Sequence, residues 1–138
     1  MTGITIESQG VCTFSKGRTM TNALTATALR AVDTLDAKGF AELFAPEGKI
    51  TFGNVPTLEG RDAVEAGCVG FFATIDGMRH DIVNEWVVGK DTIVELTVTY
   101  TRKDGGKVAI PVVSIWTVGD SGLIDEYRVF FDLAPVFA

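Results

Sequence analysis

In Thr92-Ile93-Val94-Glu95-Leu96-Thr97-Val98-Thr99-Tyr100-Thr101, apolar and polar side chains alternate without interruption from Val94 onward. A two-residue period of that kind belongs to a strand with one buried face. Leu96, Val98, Tyr100 and Arg102 share one side and Glu95, Thr97, Thr99 and Thr101 the other; the first set is expected to face the core. The pattern extends in both directions, with strands expected at about 78–88, 92–103, 107–118 and 122–132. They are separated by Gly89-Lys90-Asp91, Lys103-Asp104-Gly105-Gly106 and Gly119-Asp120-Ser121-Gly122, residues that accept turn dihedrals. Breaks this short predict an antiparallel meander.

The last two strands of that run add a second feature. Val108, Ile110, Val112, Ser114 and Trp116 oppose Ala109, Pro111, Val113, Ile115 and Thr117, and Tyr127, Val129 and Phe131 oppose Glu126, Arg128 and Phe130. A sheet with helices on one side normally meets water on the other. Apolar residues on both sides predict a covered back, and a symmetric homodimer is the simplest cover.

Upstream the period becomes helical. Leu24, Ala28, Leu29, Val32 and Leu35 recur on one face after Thr21-Asn22, predicting a capped helix at about 22–36. Phe40, Leu43 and Phe44 predict a short second helix stopped by Pro46 and Gly48, Lys49–Gly53 a brief strand, and Val64, Cys68, Val69, Phe71 and Phe72 a third helix from Arg61 to about Ile75. Gly67 and Gly70 weaken that third helix but permit close packing. Residues 1–20, broken by Gly10 and Gly17, are expected to form an arm, and 21–138 a single domain. Helices segregated before strands give the α+β class, helices laid across one face of a curved sheet.

Composition narrows the function. A net charge of −6 is the wrong sign for a phosphate-backbone binder, so no nucleic-acid partner is expected. No apolar run approaches a membrane span. Two cysteines, Cys12 and Cys68, without Cys-x-x-Cys spacing suit a cytoplasmic location, and a single histidine, His80, excludes a multi-histidine metal site. No cofactor is expected.

Three helices carrying Leu35-Asp36-Ala37-Lys38-Gly39-Phe40-Ala41-Glu42-Leu43-Phe44, a short strand, the helix start Leu58-Glu59-Gly60-Arg61-Asp62-Ala63-Val64, and a meander ending Tyr127-Arg128-Val129-Phe130-Phe131-Asp132 together resemble the nuclear transport factor 2-like superfamily, in particular its SnoaL-like branch. The resemblance covers roughly residues 21–133. It implies a cone-shaped curved antiparallel sheet wrapping three helices around a deep apolar pocket, a fold that hosts isomerases, epoxide hydrolases, cyclases, dehydratases and non-enzymatic modules, so that fold alone leaves function open.

Residue by residue, the resemblance separates these activities. The places of the ketosteroid isomerase base and oxyanion-hole pair read Gly53, Ala31 and Ser114, and those of the limonene-epoxide hydrolase relay read Leu96, Val98 and Val129. Neither chemistry is implied. The dehydratase acid and histidine correspond to Asp36 and His80, although Ala31 stands where that pattern has a tyrosine.

An Asp–His pair has its own logic. A neutral imidazole removes a proton beside a carbonyl, and a carboxylate fixes its tautomer. Asp36 or Asp33 is the candidate carboxylate, Tyr100 or Tyr127 the candidate acid toward a developing enolate. Asp33, Leu96, Val98, Ser114, Trp116, Val129 and Phe131 are expected to line the substrate site. The expected activity is a cofactor-independent lyase, isomerase or cyclase acting on a hydrophobic small molecule; the alternative is a pocketed binding or assembly module of the same fold.

Overall fold

The structure, a computed structural model, describes residues 22–138. The expected arm and Cys12 lie outside the described residues.

Helix α1, Ala23–Asp33, is capped by the Asn22 side chain, which accepts from the Leu24 N–H at 2.9 Å. It ends three residues before the expected boundary. Leu35 adopts φ +55°, the Leu35 N–H reaches the Val32 carbonyl at 3.0 Å, and the Asp36 N–H reaches that of Ala31 at 2.8 Å. This is a Schellman stop with leucine at the left-handed position that glycine usually takes. The chain then reverses into α2, Ala37–Ala41, whose first turn is capped by Asp36.

Strand β1 runs Phe44–Phe52, β2 Leu58–Glu59 and α3 Arg61–Phe72. Phe44, expected at a helix end, opens β1 instead. The irregularity between Phe44 and Lys49 accommodates Pro46, which lacks an N–H to give a ladder. The Arg61 guanidinium donates twice to the Phe44 carbonyl, at 3.0 and 2.6 Å, and ties α3 to β1. Gly67 has its expected role, since a Cβ there would collide with Leu58; Gly70 faces open space.

Four long strands follow: β3 Gly77–Val88, β4 Asp91–Thr101, β5 Lys107–Val118 and β6 Ile124–Phe130, with a 3-10 turn at Ala134–Phe137. The six-stranded sheet has the order β2-β1-β6-β5-β4-β3. The meander is antiparallel as expected, but β1 joins β6 in parallel, so the sheet is mixed. Its concave face carries Val94, Leu96, Val98, Tyr100, Ile110, Val112 and Trp116, all buried beneath the helices. The convex face carries two adjacent rows across four strands: Trp86, Ile93, Ile115, Arg128, and Asn84, Glu95, Val113, Phe130. Phe130 there is 49% exposed. Among the described residues, no helix is long and apolar enough to cross a membrane.

Candidate active site

The end of α1 and the start of β3 meet at the rim of the concave face. His80 pairs with Val98 of β4, and Val98 with Ile110 of β5, so its side chain belongs to the concave row. Asp33, on the last turn of α1, contacts His80 at two points. Its Oδ1 lies 2.6 Å from the ring Nδ1, and the His80 backbone N–H donates to Oδ1 and Oδ2 at 3.1 and 3.3 Å. A carboxylate only accepts, so Nδ1 donates. In the neutral ring Nε2 is then the basic nitrogen. The two side chains are 11% and 28% exposed, which shields the pair from bulk water without sealing it.

The His80 ring borders a cavity of about 40 Å³. Its walls come from three directions: Val32 and Phe40 on the first two helices, Cys68, Phe71 and Phe72 on α3, and Phe52, Met78, Tyr100, Val112, Ser114, Tyr127, Val129 and Phe131 along the sheet. By the usual measure of roughly 10–15 Å³ for one water, it holds a few waters. The hollow is therefore much smaller than the deep pocket expected. Besides His80, the partly exposed members of the wall are Phe52, Phe71, Met78 and Phe131. Gly53, at φ +52°, sits against Phe131: a Cβ there would lie 3.1 Å from the ring.

Both phenols in the wall are buried. Burial raises Tyr100 above the ordinary phenol range, and it raises Tyr127 likewise, an effect the hydrogen bond from Ser114 partly opposes. Both remain neutral donors. Tyr127 is fixed by its neighbours: Trp116 stacks on it at 4.9 Å, and Phe40 and Phe44 lie 5.3 and 5.9 Å away. The Cys68 thiol is pushed up to about 12 by burial and by the Glu65 carboxylate, so it is an uncharged, weakly nucleophilic wall group.

The candidate residues thus divide. His80, Tyr100, Tyr127, Ser114, Val129 and Phe131 line one cavity, and Asp33 holds the histidine. Asp36 does not join them. The reversal at Leu35 turns its carboxylate onto the Gly39 N–H at 2.9 Å as the cap of α2. Leu96, Val98 and Trp116 are on the concave face but fully packed outside the cavity wall. The Trp116 Nε1 is buried with no partner among the described residues. Sequence reasoning passed over Cys68, Phe71 and Phe72 as wall residues, although their i, i+3, i+4 spacing gives a single helix face.

Among the described residues, no three acidic, histidine or cysteine side chains converge as a metal site would require.

Residues 26–127 match the model of the SnoaL-like domain. The chain belongs to the SnoaL-like family. No curated protein matches it in sequence. Solved structures with the same fold include a protein with a ketosteroid isomerase-like fold from Catenulispora acidiphila DSM 44928, in complex with trimethylamine, at 16% identity and TM-score 0.77, covering 83% of this chain and 89% of that one. A protein assigned as a SnoaL-like polyketide cyclase from Jannaschia sp. CCS1 shares 22% identity at TM-score 0.68, covering 88% and 95%. The epoxide hydrolase/cyclase-like enzyme SalBIII, of pyran ring formation in salinomycin, shares 22% at TM-score 0.69, covering 80% and 88%. The fold of this chain is thus shared with these three structures.

Proposed function

We propose that this SnoaL-like protein is a cofactor-independent lyase, isomerase or cyclase that moves a proton on a hydrophobic carbonyl compound. The observation that carries the reading is the 2.6 Å bond from the Asp33 carboxylate to Nδ1 of a histidine whose ring borders an aromatic cavity. Asp33 holds the ring in the tautomer that leaves Nε2 free to accept a proton, and it stabilises the imidazolium that results. Tyr100 and Tyr127, kept neutral by burial, donate to the oxygen where enolate charge develops. Among the described residues no lysine or arginine lines the cavity, which favours an uncharged, apolar guest. Cyclase chemistry among the fold relatives accords with this reading.

The rival reading is a pocketed binding or assembly module without chemistry. Exchange of carbonyl α-protons for deuterium separates the two, because it detects a general base whatever reaction follows. Incubated in D₂O with a panel of apolar ketones, the protein is expected to accelerate exchange for some members, and folded His80→Ala to lose the acceleration. Equal rates with and without the imidazole would exclude proton-transfer catalysis by His80.

The convex rows support a second element of the proposal: a second copy of the chain covers them. The patch carries Arg128 on β6, with its guanidinium 5.9 Å above the Phe130 ring, and Glu95 two strands away on β4. A face bearing both signs of charge around an apolar centre is complementary to its own two-fold image.

A further inference from the structure

Beyond the residues that line the cavity, α1 is attached to β3 at a second point. The Thr25 hydroxyl donates to Oε2 of Glu85 at 2.7 Å. Thr25 is completely buried, and Glu85 is half-buried on the concave side. Along α1, Thr25 and Asp33 are eight residues apart, about 12 Å at 1.5 Å per residue. The helix is therefore fastened to the same strand near both ends, by Thr25–Glu85 and by Asp33–His80.

Glu85 reaches this position only because β3 is irregular. His80 and Glu85 are an odd number of residues apart, and in a regular strand they would face opposite sides. The register of β3 on β4 shifts between Ile82 and Asn84: His80 pairs with Val98 and Ile82 with Leu96, after which Glu85 pairs with Val94. Val98, Leu96 and Val94 are one concave row, so the extra residue at Val83 swings Glu85 onto the side that His80 already occupies. A bulge that re-aims a side chain beside a functional site is a recurrent use of that irregularity.

We infer that the Thr25–Glu85 hydrogen bond, brought within reach by the β3 bulge, is a positioning device that sets the register of α1 on β3 and thereby holds Asp33 on Nδ1 of His80. Glu85 and Thr25 are positioning residues. Neither lines the cavity. The bond matters because the 2.6 Å contact at His80 tolerates little slip, and a displacement of about 1 Å at a catalytic group can cost a hundredfold in rate. This inference rests on the proposed role of His80 for its catalytic consequence, but its structural claim is tested without any substrate.

His80 is the one histidine in the chain, so ¹⁵N NMR of protein without a histidine tag reports its ring unambiguously. At a pH where the imidazole is neutral, the wild-type protein is expected to show Nδ1 protonated and slow to exchange with water. Thr25→Val removes the hydroxyl at nearly constant volume; Glu85→Leu removes the acceptor. Each is expected to mix the tautomers and speed Nδ1–H exchange about tenfold or more, with melting temperature recorded in parallel. Glu85→Gln keeps an oxygen that accepts from Thr25 and is expected to restore the wild-type signature, which separates the hydrogen bond from the charge. Should Thr25→Val not fold, the pair Glu85→Leu and Glu85→Gln carries the comparison. A wild-type His80 spectrum in Glu85→Leu, or equal disturbance in Glu85→Gln, would overturn the inference. An intact NMR result with no proton exchange on any ketone would instead count against the proposed function alone.

Discussion

Asp33 grips His80 by backbone and side chain together, with one carboxylate spanning the N–H at 3.1 and 3.3 Å and Nδ1 at 2.6 Å. The backbone contacts fix where the carboxylate sits, and the ring contact fixes which nitrogen carries the proton. Asp33→Asn keeps the shape but can present an amide N–H to Nδ1, favouring the other tautomer. The expected result is a loss of base activity of about 10²–10⁴-fold, measured as ketone α-proton exchange, with the fold retained by circular dichroism.

Asp36, three residues on, is expected to behave differently. Its carboxylate caps α2 through the Gly39 N–H at 2.9 Å. Asp36→Ala should lower stability by about 1 kcal/mol in urea unfolding while leaving the exchange rate per folded molecule unchanged. A large fall in rate with stability preserved would return Asp36 to the chemistry.

The contrast between these aspartates shows what the sequence could convey. Strand breaks were legible because Gly89, Asp104, Gly105 and Gly122 mark them, and the four long strands fall within a few residues of expectation. The end of α1 was not legible, because the left-handed stop falls on Leu35, which carries no glycine signal. Helical periodicity then ran on through Asp36 and left Asp33 and Asp36 both as candidate carboxylates. The parallel pairing of β1 with β6 joins residues far apart in the chain, such as Ile50 and Tyr127, and nothing local encodes it. The bulge at Val83 was equally hidden, since strict alternation along β3 would send Glu85 to the convex side.

Alkaline behaviour follows from the three neutral wall groups. Tyr100 and Tyr127 are the only tyrosines in the chain, and burial raises both; Cys68 is pushed up to about 12. In the unfolded chain these groups release protons at roughly pH 8.5–10, while the folded protein retains them. The unfolded state therefore binds fewer protons in that range, and stability falls as pH rises. The stability they supply is complete below the unfolded values and is lost progressively toward the folded ones, at up to about 1.4 kcal/mol per pH unit for each group. Near-ultraviolet phenolate absorbance should accordingly appear only with unfolding, and Cys68→Ser should make the fall shallower. Reversible phenolate formation in the folded protein near pH 10 would show that a tyrosine is open to water.

The convex face supplies the last prediction. Trp86, Ile93, Val113, Ile115 and Phe130 are half-buried or exposed across four strands, an apolar surface that a lone chain would leave in contact with water. A two-fold partner would bury Phe130 and enclose Arg128, whose guanidinium lies over that ring. Sedimentation of the wild-type protein at micromolar concentration is expected to give a dimer. Phe130→Asp places a charge in the apolar patch without touching the cavity, which lies on the other side of the sheet, and should yield monomers whose His80 NMR signature is unchanged. A wild-type monomer would overturn the two-fold interface. A dimer insensitive to Phe130→Asp would place the contact elsewhere on the surface.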